Sequence, residues 1–196
     1  MNPDQRTNIE QDITALLAAL AGCWAYYRVL LGLHQGGKAW PKAQERFPRL
    51  IDELWRATFG SLHAAMGTLI DRTPQTHSLV GLVKKLRKYN PQDAVISALC
   101  KLVEKRLNDA SVVGIAKAEF WRNKSVAHNT AEGRDSDLYE KNKTTLSEIE
   151  AALLHLDVTL NLVTREISNT INDVQHQAKP LQDDAVQLMS RLSADV

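Results

Sequence analysis

The sequence predicts an all-α fold: an antiparallel bundle of four to five long helices with short extra helices. Three observations predict it. Apolar residues recur at steps of three and four through nearly every long segment. The apolar–polar alternation of a half-buried strand persists nowhere. Caps and breakers close the periodic segments, and the helix they delimit covers about three-quarters of the chain, far above the usual third.

The first helix is placed over about residues 8–33, with Ile13, Leu17, Leu20, Trp24, Tyr27 and Leu31 as one apolar seam. Gly32, Gly36 and Gly37 end it, and a connector follows through Trp40 and Pro41. The second helix spans about residues 43–71, or begins at Pro48, where a missing amide donor is tolerated. Ile51, Leu54, Leu62, Ala65 and Leu69 face its core. Ala57, Gly60, Ser61, Ala64 and Gly67 form a small-residue face, read as core packing with a dimer contact as the alternative.

Asp71-Arg72-Thr73-Pro74 turns the chain, and Ser78 caps a short helix through Leu86. Asn90-Pro91 opens the next helix, whose stripe is Val95, Leu99, Leu102, Val103 and Leu107, with a break near Asn108-Asp109. Another helix follows over about residues 110–128. The longest element is placed at about residues 145–177, opened by a Thr145/Glu148 capping box and on the order of 45 Å long. That exceeds what a compact domain needs, so its far end packs on a partner or folds back. Pro180 breaks it, and residues 181–193 can add a short helix. No internal repeat or domain boundary is visible, so residues 1–196 read as one domain, with 179–196 as a C-terminal extension.

With 196 residues, 44% hydrophobic and 24% charged, the chain can bury a core of its own. A net charge of +1 gives no broad basic field, so any nucleic-acid site must be a local patch. Cys23 and Cys100 lie in apolar helical patterns and read as reduced core thiols of a cytoplasmic protein. The Met-Asn-Pro-Asp-Gln-Arg start has no secretory pattern, and no apolar run is expected to reach membrane-spanning length, since Arg28 interrupts Leu16–Leu33.

Groups suited to phosphate chemistry converge in one stretch, Phe120-Trp121-Arg122-Asn123-Lys124-Ser125-Val126-Ala127-His128. Arg122 offers a planar fork of donors that matches phosphate oxygens. His128 is the side chain most readily tuned to move protons near neutral pH. Asn123 donates and accepts without charge. On a continuous helix Arg122 and His128 stand roughly 9 Å apart along the axis and about 120° around it. Either the helix breaks between them, or a second surface, such as that of a two-fold partner, completes the cleft. The bland alternative is a capped helix end with a surface Arg and a polar His.

The most basic cluster is Lys84, Lys85, Arg87 and Lys88, followed by Tyr89. It reads as charge suited to a helix C-terminus, or as an RNA-binding patch with Tyr89 stacking on a base; Lys124 adds a further cation beside the motif. His63 and His155 read as polar-face or satisfied core residues. No His or Cys pair has metal-ligand spacing, and no metal or cofactor is expected. Gly36-Gly37-Lys38 lacks the remaining residues of a phosphate loop, and there is neither a paired Glu-x-x-His set nor a serine nucleophile elbow.

The run Arg122-Asn123-x-x-x-x-His128 resembles the signature of the HEPN superfamily, and the wording RNKSVAHN resembles its AbiU-like, abortive-infection branch. Met66-Gly67-Thr68-Leu69-Ile70-Asp71-Arg72 with Ser78-Leu79-Val80-Gly81-Leu82-Val83 is similar to a second stretch of that branch. The resemblance is strongest over residues 45–165. It implies a HEPN-like bundle and a metal-independent endoribonuclease acting at a homodimer cleft. Arg122 would hold the scissile phosphate, Asn123 would orient the phosphate or the histidine, and His128 would move the proton, leaving a 2′,3′-cyclic phosphate. It also implies an RNA substrate, a role in phage defence or as a toxin, and a cognate antitoxin or defence partner rather than a membrane. In one toxin branch a Tyr two residues after the His receives nucleotides; here Thr130 stands there, and Tyr139 is too distant to replace it. The alternative is a non-catalytic helical dimer that binds RNA, nucleotide or a partner protein. A purely structural bundle is the third reading.

Overall fold

The computed structural model describes residues 1–73, 77–127 and 143–194, with 122–127 described by backbone alone. Every regular element among the described residues is a helix. The fold is organised on α1, Pro3–Gln35, which packs against helices from both halves of the chain. It starts earlier than its apolar period because Asn2 and Gln5 form a reciprocal capping box, with Pro3 in the first turn. Its buried seam is Ile9, Ile13, Leu16, Leu20, Cys23, Trp24, Tyr27, Leu30 and Leu33. Leu17 and Leu31, assigned to the seam from the sequence, lie at its margin and are only partly buried.

By length and composition alone α1 could cross a membrane, contrary to the expectation from Arg28. In this fold its seam, Leu33 apart, is buried in the main core. Arg28 is accommodated there: its guanidinium lies 5.7 Å from the Trp24 ring centroid and donates to Gln182 Oε1 at 3.0 Å.

The expected connector is helical: α2 spans Ala39–Arg46. Pro41 falls in its first turn, where the missing amide has no intrahelical partner to lose, and Ala43 is buried in a satellite core with Leu33, Ile51, Ala185 and Met189. Phe47, at φ −132° and ψ 56° and so outside the helical region that a following proline disfavours, separates α2 from α3, Pro48–Leu69. Of the two starts the sequence allows, the helix takes the one at Pro48. The small-residue face of α3 is divided: Gly67 is buried, whereas Ala57, Gly60 and Ala64 face solvent and do not pack in the core.

Ser78 caps α4, Leu79–Tyr89, accepting from the Gly81 amide at 3.0 Å while donating to the Asp71 carbonyl at 2.6 Å. Asp93, rather than Asn90-Pro91, caps α5, Ala94–Leu107, because its carboxylate reaches two free amides, those of Val95 and Ile96. The buried face of α5 is Ile96, Leu99, Cys100 and Val103; Val95 and Leu102 point outward instead. After the break at Asn108-Asp109 comes α6, Val113–Ala127.

α7 spans Leu146–Ser168, and its Thr145/Glu148 capping box is present. It is not the longest helix, since α1 is, and it does not continue to 177. Asn169 takes the left-handed conformation, φ 51° and ψ 37°, which asparagine tolerates and which ends a helix. Asn161 then clasps Asn172 through two hydrogen bonds of 2.8 and 3.1 Å, and Thr164 donates to the Thr170 carbonyl. A short helix, α8 (Val174–Gln177), leads into α9, Lys179–Ser193, with Pro180 in its first turn. The far end therefore folds back: α9 packs along α1 and α2. The contact is close at Gly32, where a Cβ would meet the Gln182 carbonyl oxygen at 2.4 Å.

Candidate functional site

The motif is carried by α6, so the elements that hold α6 position it. Gly114 lets its first turn lie against α7: a Cβ there would sit 2.3 Å from the Glu148 carbonyl oxygen and 2.9 Å from the Ala152 Cβ. One turn on, Lys117 donates to both Glu148 carboxylate oxygens, at 2.8 and 2.9 Å, and to the Lys143 carbonyl. The Lys117 hydrogen bond, helped by the Thr145 amide, holds the Glu148 carboxyl below the usual range. Ala118 is fully buried, and Phe120 and Trp121 are half-buried, edge-to-face at 5.3 Å. Glu119 lies 3.7 Å from Arg72 at the end of α3. The same helix thus bears on α7 and on the end of α3.

Beyond these anchors the helix runs unbroken to Ala127. Arg122, Asn123 and Lys124 stand on that continuous helical backbone, with side chains outside the description. His128, Thr130 and Tyr139 lie outside the described residues. No break falls between Arg122 and Ala127, so the sequence alternative of a helix broken inside that span does not hold.

Alongside α6 is a cleft of about 330 Å³ between the end of α3, α4 and α5. Ile70, Val80, Leu107 and Ile115 give it apolar walls, and Arg72, Lys84, Glu104, Asn108 and Glu119 supply polar groups. Arg72 donates to Asn108 Oδ1 at 3.2 Å. Lys84 has no hydrogen-bond or ion-pair partner among the described residues.

The rest of the basic cluster is divided by its own contacts. Lys85 turns toward α1, with its Nζ 2.6 Å from the buried carboxylate of Asp12 and 3.1 Å from Asn8 Oδ1. Arg87 makes a two-pronged pair with Glu104, at 2.5 and 2.7 Å, which raises its pKa further. Tyr89 is half-buried against the main core. Lys84 and Lys88 are left without ion pairs among the described residues, so the cluster does not present itself as one surface.

The histidines also separate. His155 is satisfied: Nε2 donates to the Arg106 carbonyl at 2.9 Å, and Nδ1 faces the Arg106 guanidinium. His63 is neither on a polar face nor satisfied. It is 2% exposed, its Nδ1 donates to the Phe59 carbonyl, and its Nε2 has no partner among the described residues. Burial pulls its pKa below the ordinary histidine value, the Phe59 carbonyl opposing more weakly. The cysteines are free and buried, and burial pushes the Cys23 thiol up to about 12. No group of three potential metal-ligating side chains occurs among the described residues.

Two features escaped the sequence reading. Asp12 is buried between Lys85 and His77, whose Nδ1 lies 2.6 Å away. Its signal was an acid one turn after Asn8, inside the seam between Ile9 and Ile13. The other is an aromatic pocket formed where α1, α2 and α3 meet.

The described residues form an all-helical domain, with Arg122 and Asn123 on an anchored helix. The AbiU2 model of the HEPN families matches residues 7–188, and the chain belongs to that family, a HEPN domain of the abortive-infection, defence type. The match extends well beyond the 45–165 stretch, taking in most of α1 and part of α9. No curated protein and no solved structure matches the chain.

Proposed function

We propose that the protein is a metal-independent endoribonuclease that works as a homodimer in phage defence or as a toxin. The observation that carries this reading is the Arg122-Asn123-x-x-x-x-His128 set in a HEPN AbiU2 chain, its Arg122 and Asn123 borne on a helix that two neighbours fix in place. His128 takes the proton of a ribose 2′-hydroxyl, or gives one to the departing 5′-oxygen. The 2′-oxygen attacks phosphorus, the bond from phosphorus to the 5′-oxygen breaks, and the products carry a 2′,3′-cyclic phosphate and a 5′-hydroxyl. Arg122 holds the phosphate oxygens and stabilises their added charge in the transition state, and Asn123 orients the group. A second copy, with its own His128, would supply the second proton-transfer group. Lys84, without an ion pair among the described residues and on the cleft beside α6, is suited to the phosphate of a neighbouring nucleotide.

Purified protein incubated with cellular RNA in excess chelator is expected to leave cyclic phosphate ends, and His128→Ala to leave none. Light scattering is expected to give a dimer. Full cleavage by Arg122→Ala, or a strict need for magnesium or manganese, would overturn the mechanism. The division of the basic cluster favours a second reading, a non-catalytic dimer that binds RNA, nucleotide or protein. RNA binding that survives His128→Ala, with no cleavage by the parent protein, would select it.

A further inference from the structure

The pocket where the end of α1 meets α2 and α3 has about 360 Å³ of free volume, within the range of small-ligand sites. Its walls follow from helical spacing. Trp40 and Gln44 are one turn apart on α2; Asp52, Trp55 and Arg56 share one face of α3; His34 closes the α1 side. The two indoles meet edge to face, with centroids 5.6 Å apart and planes at 74°, and both pack on the satellite core. They are therefore fixed from behind, and an edge-on pair leaves ring face on which a flat third ring can stack.

The polar groups around them are unspent. His34, Gln44, Asp52 and Arg56 have no hydrogen-bond or ion-pair partner among the described residues. Asp52 and Arg56 stand at the i, i+4 spacing where helical ion pairs form, yet no pair joins them. By contrast, Arg87, Lys85 and Lys117 all hold carboxylates.

We propose that this pocket is a nucleotide site. The base stacks on the indoles, and the Gln44 amide, which both donates and accepts, meets its edge. Arg56 holds the phosphate with His34 beside it, and the Asp52 carboxylate accepts from the ribose hydroxyls. A single guanidinium balanced by one carboxylate suits a monophosphate better than a polyphosphate. The nucleotide can be free, or one residue of a single-stranded RNA. No residue of α6 lines the pocket, so the assignment stands apart from the ribonuclease reading.

Tryptophan fluorescence provides the test. The full-length protein is titrated with AMP, GMP, CMP and UMP, and separately with a 2′-O-methyl RNA heptamer, which cannot be cut by 2′-hydroxyl attack. Saturable quenching is expected with at least one probe, weakened tenfold or more by Arg56→Gln and severalfold by Trp55→Phe. Arg56 is exposed, so its replacement leaves the fold intact, as circular dichroism would verify. Mononucleotides binding as tightly as the heptamer would identify a free-nucleotide site; binding of the heptamer alone would identify an RNA contact. The absence of saturable quenching by every probe would overturn the proposal. So would saturable quenching left unchanged by Arg56→Gln and Trp55→Phe.

Discussion

The two ends of α1 bury their neighbours by different means. Near its N-terminus a carboxylate enters the packed face: Asp12 is buried, with His77 and Lys85 drawn onto it. Near its C-terminus the contact is between backbones, with Gly32 against the Gln182 carbonyl, while the charged groups alongside, Asp52 and Arg56, stay in solvent. Formal charge is similar at the two ends, but at one it is used in the fold and at the other it has no partner among the described residues. Composition cannot make that distinction; the partners of each charge can.

The strongest way to break the comparison is at the backbone contact. Gly32→Val should destabilise the protein by about 3 kcal/mol, since neither the Gln182 carbonyl nor the Ala185 methyl can yield cheaply. A urea midpoint within error of the parent would show that the close approach does not matter. The comparison is sharpened by the same substitution at each end. Asp12→Asn should cost about 1–2 kcal/mol, discounted because Lys85 and His77 can turn back to water. Asp52→Asn should stay within about 0.5 kcal/mol. Equal losses in thermal or urea unfolding would mean that the charges are used alike.

A smaller effect is expected midway along α3, where His63 is buried with one nitrogen unsatisfied. Its pKa is depressed in the folded protein, so as pH falls below about 6.5 the unfolded chain takes up the proton first. The unfolded state then binds more protons, and stability falls with falling pH. His63→Met should be neutral or up to about 1 kcal/mol more stable at neutral pH. It should also lose less stability on acidification to about pH 5, as urea unfolding at both values would show. An unchanged pH dependence would mean that His63 does not titrate with unfolding.

Much of the bundle is legible in the sequence because helical period and caps are local. Thr145 with Glu148, Ser78 before Leu79, and Pro48 at the start of α3 all fall where local chemistry puts them. The period fails where one backbone torsion decides. Ile167, Ile171 and Val174 keep the three-four rhythm across Asn169, and no count of apolar positions registers its left-handed turn. It also cannot choose between two apolar stripes on one helix, so it puts Val95 and Leu102 inward, whereas they lie outward. The motif helix is legible because Arg122, Asn123 and His128 are close in sequence. The tryptophan pocket is not, because His34, Trp40 and Trp55 come together only once three helices have packed.

The return of α9 onto α1 also sets an order of events on the ribosome. Gly32 and its neighbour Gln182 are separated by roughly 150 residues of synthesis, on the order of ten to thirty seconds at usual elongation rates. Throughout that interval the C-terminal half of α1 has been made but lacks its partner. Its Leu33 must be sheltered by α2 and α3, or by a chaperone, until α9 emerges. A nascent chain stalled before residue 179 should therefore be more readily cleaved by protease within α1 than the released protein.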